Sequence, residues 1–277
     1  MIGALFCFTA MTVAVRMLAQ KVPVVEQVVF RSLIVLVVLA PWIVRARFAA
    51  IRTQRLRLFV VRAVLIGIGT VTWFMAVSEM PLADAVALHF TLPLFGIVLA
   101  IVVLREAVGL NRWIATMVGF GGTLVILRPG FVDIDPIALV VLLSAAAYAA
   151  GAITGKMLLR TEDPVTVVFY LNLFIGLFTL IPTAFVWVTP TTADLPAILV
   201  IGLSAAAAHT CLARAFAIAD ASFLLPLEFL RLPLTGFAAY VLFAEIPDRW
   251  TLAGAAIIFA GAWYVNLGER RRETTGT

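Results

Sequence analysis

The sequence predicts an all-α integral membrane protein of ten transmembrane helices, arranged as two inverted five-helix repeats. Three observations predict it. Of the 277 residues, 64% are apolar and only 13% are charged, about half the charged share of a soluble domain. The apolar residues gather into ten runs of roughly the length that crosses a bilayer. Landmarks of the first half return in the second at a spacing of about 140 residues, the mark of an internal repeat.

The ten runs are 1–19, 24–44, 58–78, 82–104, 113–127, 134–157, 164–188, 195–219, 221–244 and 251–268. Run one starts at Met1 and is interrupted by Arg16, with no basic residues ahead of it, so a transmembrane helix is expected rather than a cleaved leader. Run two stops at a cluster of five arginines between Arg45 and Arg57. Runs three and four flank the break at Glu79 to Pro81, and Arg105 and Arg112 separate run four from run five. Runs six and seven are divided by Lys156 to Asp163, and runs nine and ten by Glu245 to Arg249. None of them alternates apolar with polar residues, which excludes a β-barrel. Little chain remains for a soluble domain, so one membrane domain spans 1–277, with repeats at 1–130 and 131–277.

Charge sets the orientation. Counted on alternate sides, one side carries 12 Lys and Arg (Arg45, Arg47, Arg52, Arg55, Arg57, Arg105, Arg112, Lys156, Arg160 and Arg270 to Arg272), the other only Lys21, Arg128 and Arg249. Positive charge stays inside, so both termini are expected in the cytoplasm of a bacterial-type inner membrane. The same placement explains the net charge of +5 without nucleic acid as a partner. Cys7 and Cys211 lie in apolar runs and suggest neither a disulfide nor a metal site. No Ser-centred nucleophile elbow, HExxH helix or glycine-rich phosphate loop occurs. An enzyme is not expected, nor a cofactor.

The repeat is legible residue by residue. Val28-Val29-Phe30 returns as Val167-Val168-Phe169, Pro41 as Pro182 and Pro93 as Pro233. Glu106 followed by Arg112-Trp113 returns as Glu245 followed by Arg249-Trp250. Five crossings per unit is an odd number, so the second unit enters from the opposite side, as in many secondary transporters. Together with Phe30-Arg31, Ala76 to Ala85 (AVSEMPLADA), the Pro93 helix ending in Leu104-Arg105-Glu106, Ala215 to Ser222 and Pro233 to Glu245, these landmarks resemble the EamA-like branch of the drug/metabolite transporter superfamily. The resemblance spans essentially the whole chain. It implies ten helices around a central cavity, and movement of a small organic solute by alternating access. Phe8 to Arg16 and Pro81 to Phe95 are most similar to its S-adenosylmethionine-uptake-like members.

Ionisable groups in hydrocarbon are costly and face a cavity or a partner. Glu228 and Arg231 are three residues apart in run nine, on one helix face. They either neutralise each other or form a cavity wall that meets a charged part of the solute. Pro226 and Pro233 flank them and free backbone carbonyls near mid-membrane. His209 and Arg214 in run eight are five residues and about 140° apart on a helix, so they face different ways. Arg214, always charged, is the stronger cavity candidate, and His209 reads equally as a packing residue. His89 in run four is close to the repeat position of Glu228 and is the candidate for proton coupling, against exchange that needs no proton. Trp73, Phe74 and Tyr148 offer rings for a planar solute or serve as ordinary packing. Arg16 and Arg31 are expected nearer the outer edge, where they snorkel or draw an anion to the mouth, and Arg62 and Lys156 snorkel at the inner edge. Gly151 and Gly155 form a GxxxG read as internal helix packing.

The expected protein is thus a secondary carrier of a small metabolite of the amino-acid or nucleoside-derivative class. Its partners are that solute and the bilayer, with proton coupling open. The competing class is a membrane scaffold whose buried charges are self-paired.

Overall fold

A computed structural model of the chain describes residues 2–45, 53–104, 110–128, 135–218, 231–257, 259–261 and 263, with the side chains of 213–218 and of some other helical positions outside the description. Glu228, Pro226 and Glu106 lie outside the described residues, and of Arg214 only the backbone lies within them. The helices are α1 (Ile2–Leu18), α2 (Val24–Arg45), α3 (Leu56–Glu79), α4 (Leu82–His89), α5 (Leu92–Leu104), α6 (Leu110–Leu127), α7 (Pro136–Leu159), α8 (Pro164–Val186), α9 (Leu195–Ile218), α10 (Arg231–Phe243) and α11 (Arg249–Gly261). Among the described residues there is no strand.

Local chemistry sets several ends. Both α7 and α8 open on Asp-Pro: the Asp135 carboxylate accepts from the Ile137 N–H at 2.9 Å and Asp163 from the Val165 N–H at 2.8 Å. Each aspartate satisfies a donor that the first turn leaves orphaned, and the proline behind it has no donor to lose. Run four is expected as one helix, but the chain breaks it at Phe90–Thr91. Pro93 has no N–H to return to the carbonyl of His89, so α4 ends at His89 and α5 starts at Leu92.

Six stretches are long and apolar enough to cross a bilayer: α2, α3, α4 with α5 (Leu82–Val103), α7, α8 and α9 over Leu195–Leu212. The apolar stretches of α1, α6, α10 and α11 are shorter. Large apolar side chains stand on the outside of the bundle, among them Val37 and Ile181 at 69% exposure and Phe185 at 84%. In water such a surface would drive association; in lipid it is the solvated face. The molecule is a multi-pass membrane protein.

The helix contacts are reciprocal. Helix α1 packs on α9 and α3 on α7, α2 packs on α9 and α3 on α8, and α2 and α8 lie against each other. Close approach depends on glycine. Ile66 of α3 sits over Gly151 of α7, and the Arg62 guanidinium lies over Gly155, 3.0 Å from where a Cβ would stand. The GxxxG therefore seats α3, as expected, and the Arg62 guanidinium lies along α7.

At Gly202 of α9 the neighbour is the branched base of a side chain and not its flexible end. A Cβ there would run into the Cβ of Ile34 on α2 and lie 2.6 Å from its Cδ1 and Cγ2. A β-branched side chain is stiff at χ1, and its Cβ moves only with the backbone. Gly202→Ala is expected to force α2 and α9 apart at a cost of about 1–3 kcal/mol, the usual range for overpacking. Gly3→Ala, where nothing lies within 4 Å, should be neutral. Melting of the detergent-purified variants checks this, and equal melting temperatures would refute it.

Candidate functional site

A continuous string of polar and aromatic side chains crosses the middle of the bundle. Its centre is Arg231, the first residue of α10. The guanidinium carbon stands 5.2 Å from the Trp73 ring centre and 5.4 Å from that of Phe8, and Nη2 donates to the Thr12 hydroxyl at 3.3 Å. Helices α1, α3 and α10 thus meet on one cation. The α1–α10 contact continues through Thr9 and Thr235, whose hydroxyls are 3.3 Å apart.

From Trp73 the string runs outward through rings. His89 lies 4.4 Å from the Trp73 ring centre at a tilt of 50°, and Tyr148 of α7 meets His89 edge-on at 5.6 Å. The Tyr148 hydroxyl is 2.9 Å from that of Thr70, which in turn donates to the Ile66 carbonyl. One turn earlier on α7, the Ser144 hydroxyl donates to the Gly69 carbonyl at 2.8 Å, the position where Tyr148 needs glycine to pass. The α4–α5 break places His89 at this junction as the last residue of α4.

On the other side, the Phe8 ring meets His209 of α9 edge-on at 5.8 Å. His209 Nε2 lies 2.9 Å from Nη2 of Arg31. Arg31 is only 2% exposed, its Nε and Nη1 have no hydrogen-bond partner among the described residues, and no carboxylate there pairs with it. Arg231, His209, Tyr148 and Phe8 each keep partial exposure although each touches side chains of two other helices.

The string brings together five of the predicted residues, Arg231, His209, His89, Trp73 and Tyr148. Phe74 is not among them: it stands about 100° further around α3 and is fully buried in the apolar core. Glu228 and the Arg214 side chain lie outside the description. Three contributors were missed. Phe8 and Thr12 carry no signal beyond their place among the family-like residues of α1. Arg31 was expected at the outer edge and instead points inward, because His209 offers it a lone pair where lipid offers none.

Arg16, expected to snorkel or to draw an anion to the mouth, is instead held by protein groups. Its Nη1 donates to the carbonyls of Val77 and Met80, and Nη2 pairs with Glu245 at 2.8 Å. The second oxygen of Glu245 accepts the Leu82 N–H at 2.8 Å and so caps α4. Further bonds join the two halves at this same end. Lys21 pairs with Asp194 at 3.6 Å and Arg128 with Asp248 at 3.2 Å. Glu26 accepts from the Val188 N–H, and Thr251 donates to Asp84. The hydroxyl and N–H of Thr191 hold the Asp194 carboxyl below the usual carboxylate range. At the opposite end, the bond between halves among the described residues is Thr53 to Glu162 at 2.6 Å.

Comparison with known proteins agrees with this architecture. The pattern of the EamA-like transporter family matches twice, over residues 1–128 and 135–267. The chain is 31% identical over 246 residues to an S-adenosylmethionine uptake transporter of Rickettsia prowazekii (strain Madrid E), covering 89% of this chain and 84% of that one. It is 35% identical to a riboflavin transporter of Rhizobium johnstonii, covering 84% and 78%. A crystal structure at 18% identity superposes with a TM-score of 0.69 over 98% of both chains, a likeness of fold alone. With the family pattern filling both halves of an apolar helical bundle, the chain belongs to the EamA-like transporter family of the drug/metabolite transporters, and it is a carrier of a small metabolite, not an enzyme.

Proposed function

We propose that the protein is a secondary carrier that moves a small metabolite of the amino-acid or nucleoside-derivative class by alternating access between two inverted five-helix halves. The observation that carries this reading is the central string, in which a cation stands against two aromatic rings and polar side chains of several helices meet in the middle of the bundle. Rings on both sides of Arg231 suit a planar heteroaromatic solute, which stacks on them and offers its polar edge to the guanidinium. The purine of S-adenosylmethionine and the flavin ring of riboflavin are both such surfaces.

Ten crossings result when α4 and α5 count as one and the shorter α1, α6, α10 and α11 each count as one. Two consecutive matches of the family pattern support the repeat. So do the helix contacts, which map onto themselves when helices of the two halves are exchanged: α1 on α9 answers to α7 on α3, and α2 on α9 to α8 on α3. An odd number of crossings per half makes the repeat inverted, the architecture in which one half rocks against the other about a site at mid-membrane. The basic connections face the cytoplasm. The end sealed by Arg16, Glu245, Lys21 and Asp194 is then the outer one, and the conformation is closed to the outside.

The test is exchange by the purified protein in liposomes against a labelled panel that includes S-adenosylmethionine, riboflavin, amino acids and nucleosides. Saturable flux of a member with a planar ring, competed by related rings and absent from empty liposomes, is expected. Flux of no member would overturn the proposed solute class.

A further inference from the structure

We propose that Arg31 is the cation that binds the carboxylate of the transported solute, and that His209 is the partner it gives up on binding. The inference rests on the reading of the central string as the solute site, and it narrows the solute to an acid.

Arginine has five N–H donors, no acceptor, and a charge it does not lose. At 2.9 Å from Arg31, His209 Nε2 must therefore be the acceptor, so the ring is neutral and carries its proton on Nδ1. One guanidinium nitrogen is occupied by that bond. The other two, Nε and Nη1, are buried with no partner among the described residues. Leaving charged donors buried and unmatched costs free energy, and a planar guanidinium is matched best by a planar carboxylate. Arg31 is joined to the ring-lined part of the site by two contacts, to His209 and from it to Phe8, which also meets Arg231. A solute stacked near Arg231 and Trp73 with an acidic tail would span the two places.

The bond also ties anion binding to a proton. An imidazolium has no lone pair to offer, so a proton on Nε2 of His209 and the bond to Arg31 exclude each other. Among the described residues, the groups facing the pair are Phe8 from α1, Arg62 from α3, which acts on His209 electrostatically, and Tyr148 from α7, which acts on Arg31. All are cationic or neutral. With two arginines nearby, a proton on His209 needs an anion beside it, and a carboxylate on Arg31 supplies one while freeing the ring. The proton comes from water. Binding of the acid and proton uptake thus strengthen each other, which moves the coupling role from His89 to His209.

The experiment is titration calorimetry of the purified full-length protein with S-adenosylmethionine, decarboxylated S-adenosylmethionine and riboflavin between pH 6 and 7.5. The wild type should bind S-adenosylmethionine at least about tenfold more tightly than the decarboxylated compound, a typical lower bound for losing one desolvated charge pair, and the preference should grow toward pH 6. Arg31→Gln should abolish the preference. His209→Gln should keep it and flatten its dependence on pH. Equal binding of the two sulfonium compounds by the wild type, which needs no variant to fold, would overturn the inference, as would a preference that survives in Arg31→Gln. Binding of riboflavin alone would overturn it and leave the central site standing. Binding of none would take the site reading down with it.

Discussion

Arg231→Ala is expected to remove solute flux while the carrier still inserts and folds. The residue makes its contacts across the bundle, to Thr12 and Phe8 on α1 and to Trp73 on α3, and each cation–ring contact is worth about 0.5–2 kcal/mol when desolvated. Truncating a buried charge that meets a charged or polar ligand costs about 2–5 kcal/mol. Each 1.4 kcal/mol is about a factor of ten, so flux at low solute concentration should fall by at least about 30-fold. Arg231→Lys keeps the charge but not the flat guanidinium that lies over the rings, and should fall between. Arg57→Ala, at an exposed position in the first turn of α3, is the control. Wild-type flux in Arg231→Ala, at equal insertion, would remove Arg231 from the site.

The contrast between Arg231 and Arg31 explains how far the sequence could be read. Both are arginines near the start of a described helix. The sequence points Arg231 to a cavity because it lies in the middle of a long apolar run, where a charge needs a reason. Arg31 lies seven residues into its run, and distance from the run edge was the measure that misled. What holds it inside is His209, 178 residues away, and no local pattern encodes that pairing. Trp73 and Phe74 make the same point within one helix: adjacent aromatics are equal in composition, and only the packing of α3 decides which one meets Arg231. The runs themselves were legible because hydrocarbon demands long apolar helices. The exception is the interruption of run four, where Pro93 was read as a repeat landmark and its missing hydrogen bond ends α4 at His89. Repetition marks Glu245 as a landmark, and nothing in it shows that this carboxylate caps α4 of the other half.

Glu245 is the place to test alternating access. One oxygen pairs with Arg16 and the other caps Leu82, and Pro81 before it provides no side-chain cap of its own. A carboxylate also suits a helix N-terminus electrostatically. Glu245→Ala deletes both bonds and leaves the Arg16 guanidinium with its two backbone carbonyls alone. Hydrogen bonds to charged groups contribute about 1.5–3 kcal/mol each, and under the proposed alternating access these two form while this end is closed. Removing about 2 kcal/mol from one of two conformations changes their ratio about 30-fold, so the protein should spend most of its time open to the outside and net flux should fall. Val77 lies directly under the latch, fully buried, with its carbonyl bound by Arg16. In a background with Cys7 and Cys211 replaced by alanine, Val77→Cys should resist a membrane-impermeant maleimide added outside. It should react readily once Glu245→Ala is present, and Glu245→Gln, which keeps an acceptor but not the charge, should be intermediate. Equal labelling with and without Glu245, together with unchanged flux, would mean that the outer contacts only hold the fold together and that the gate lies elsewhere.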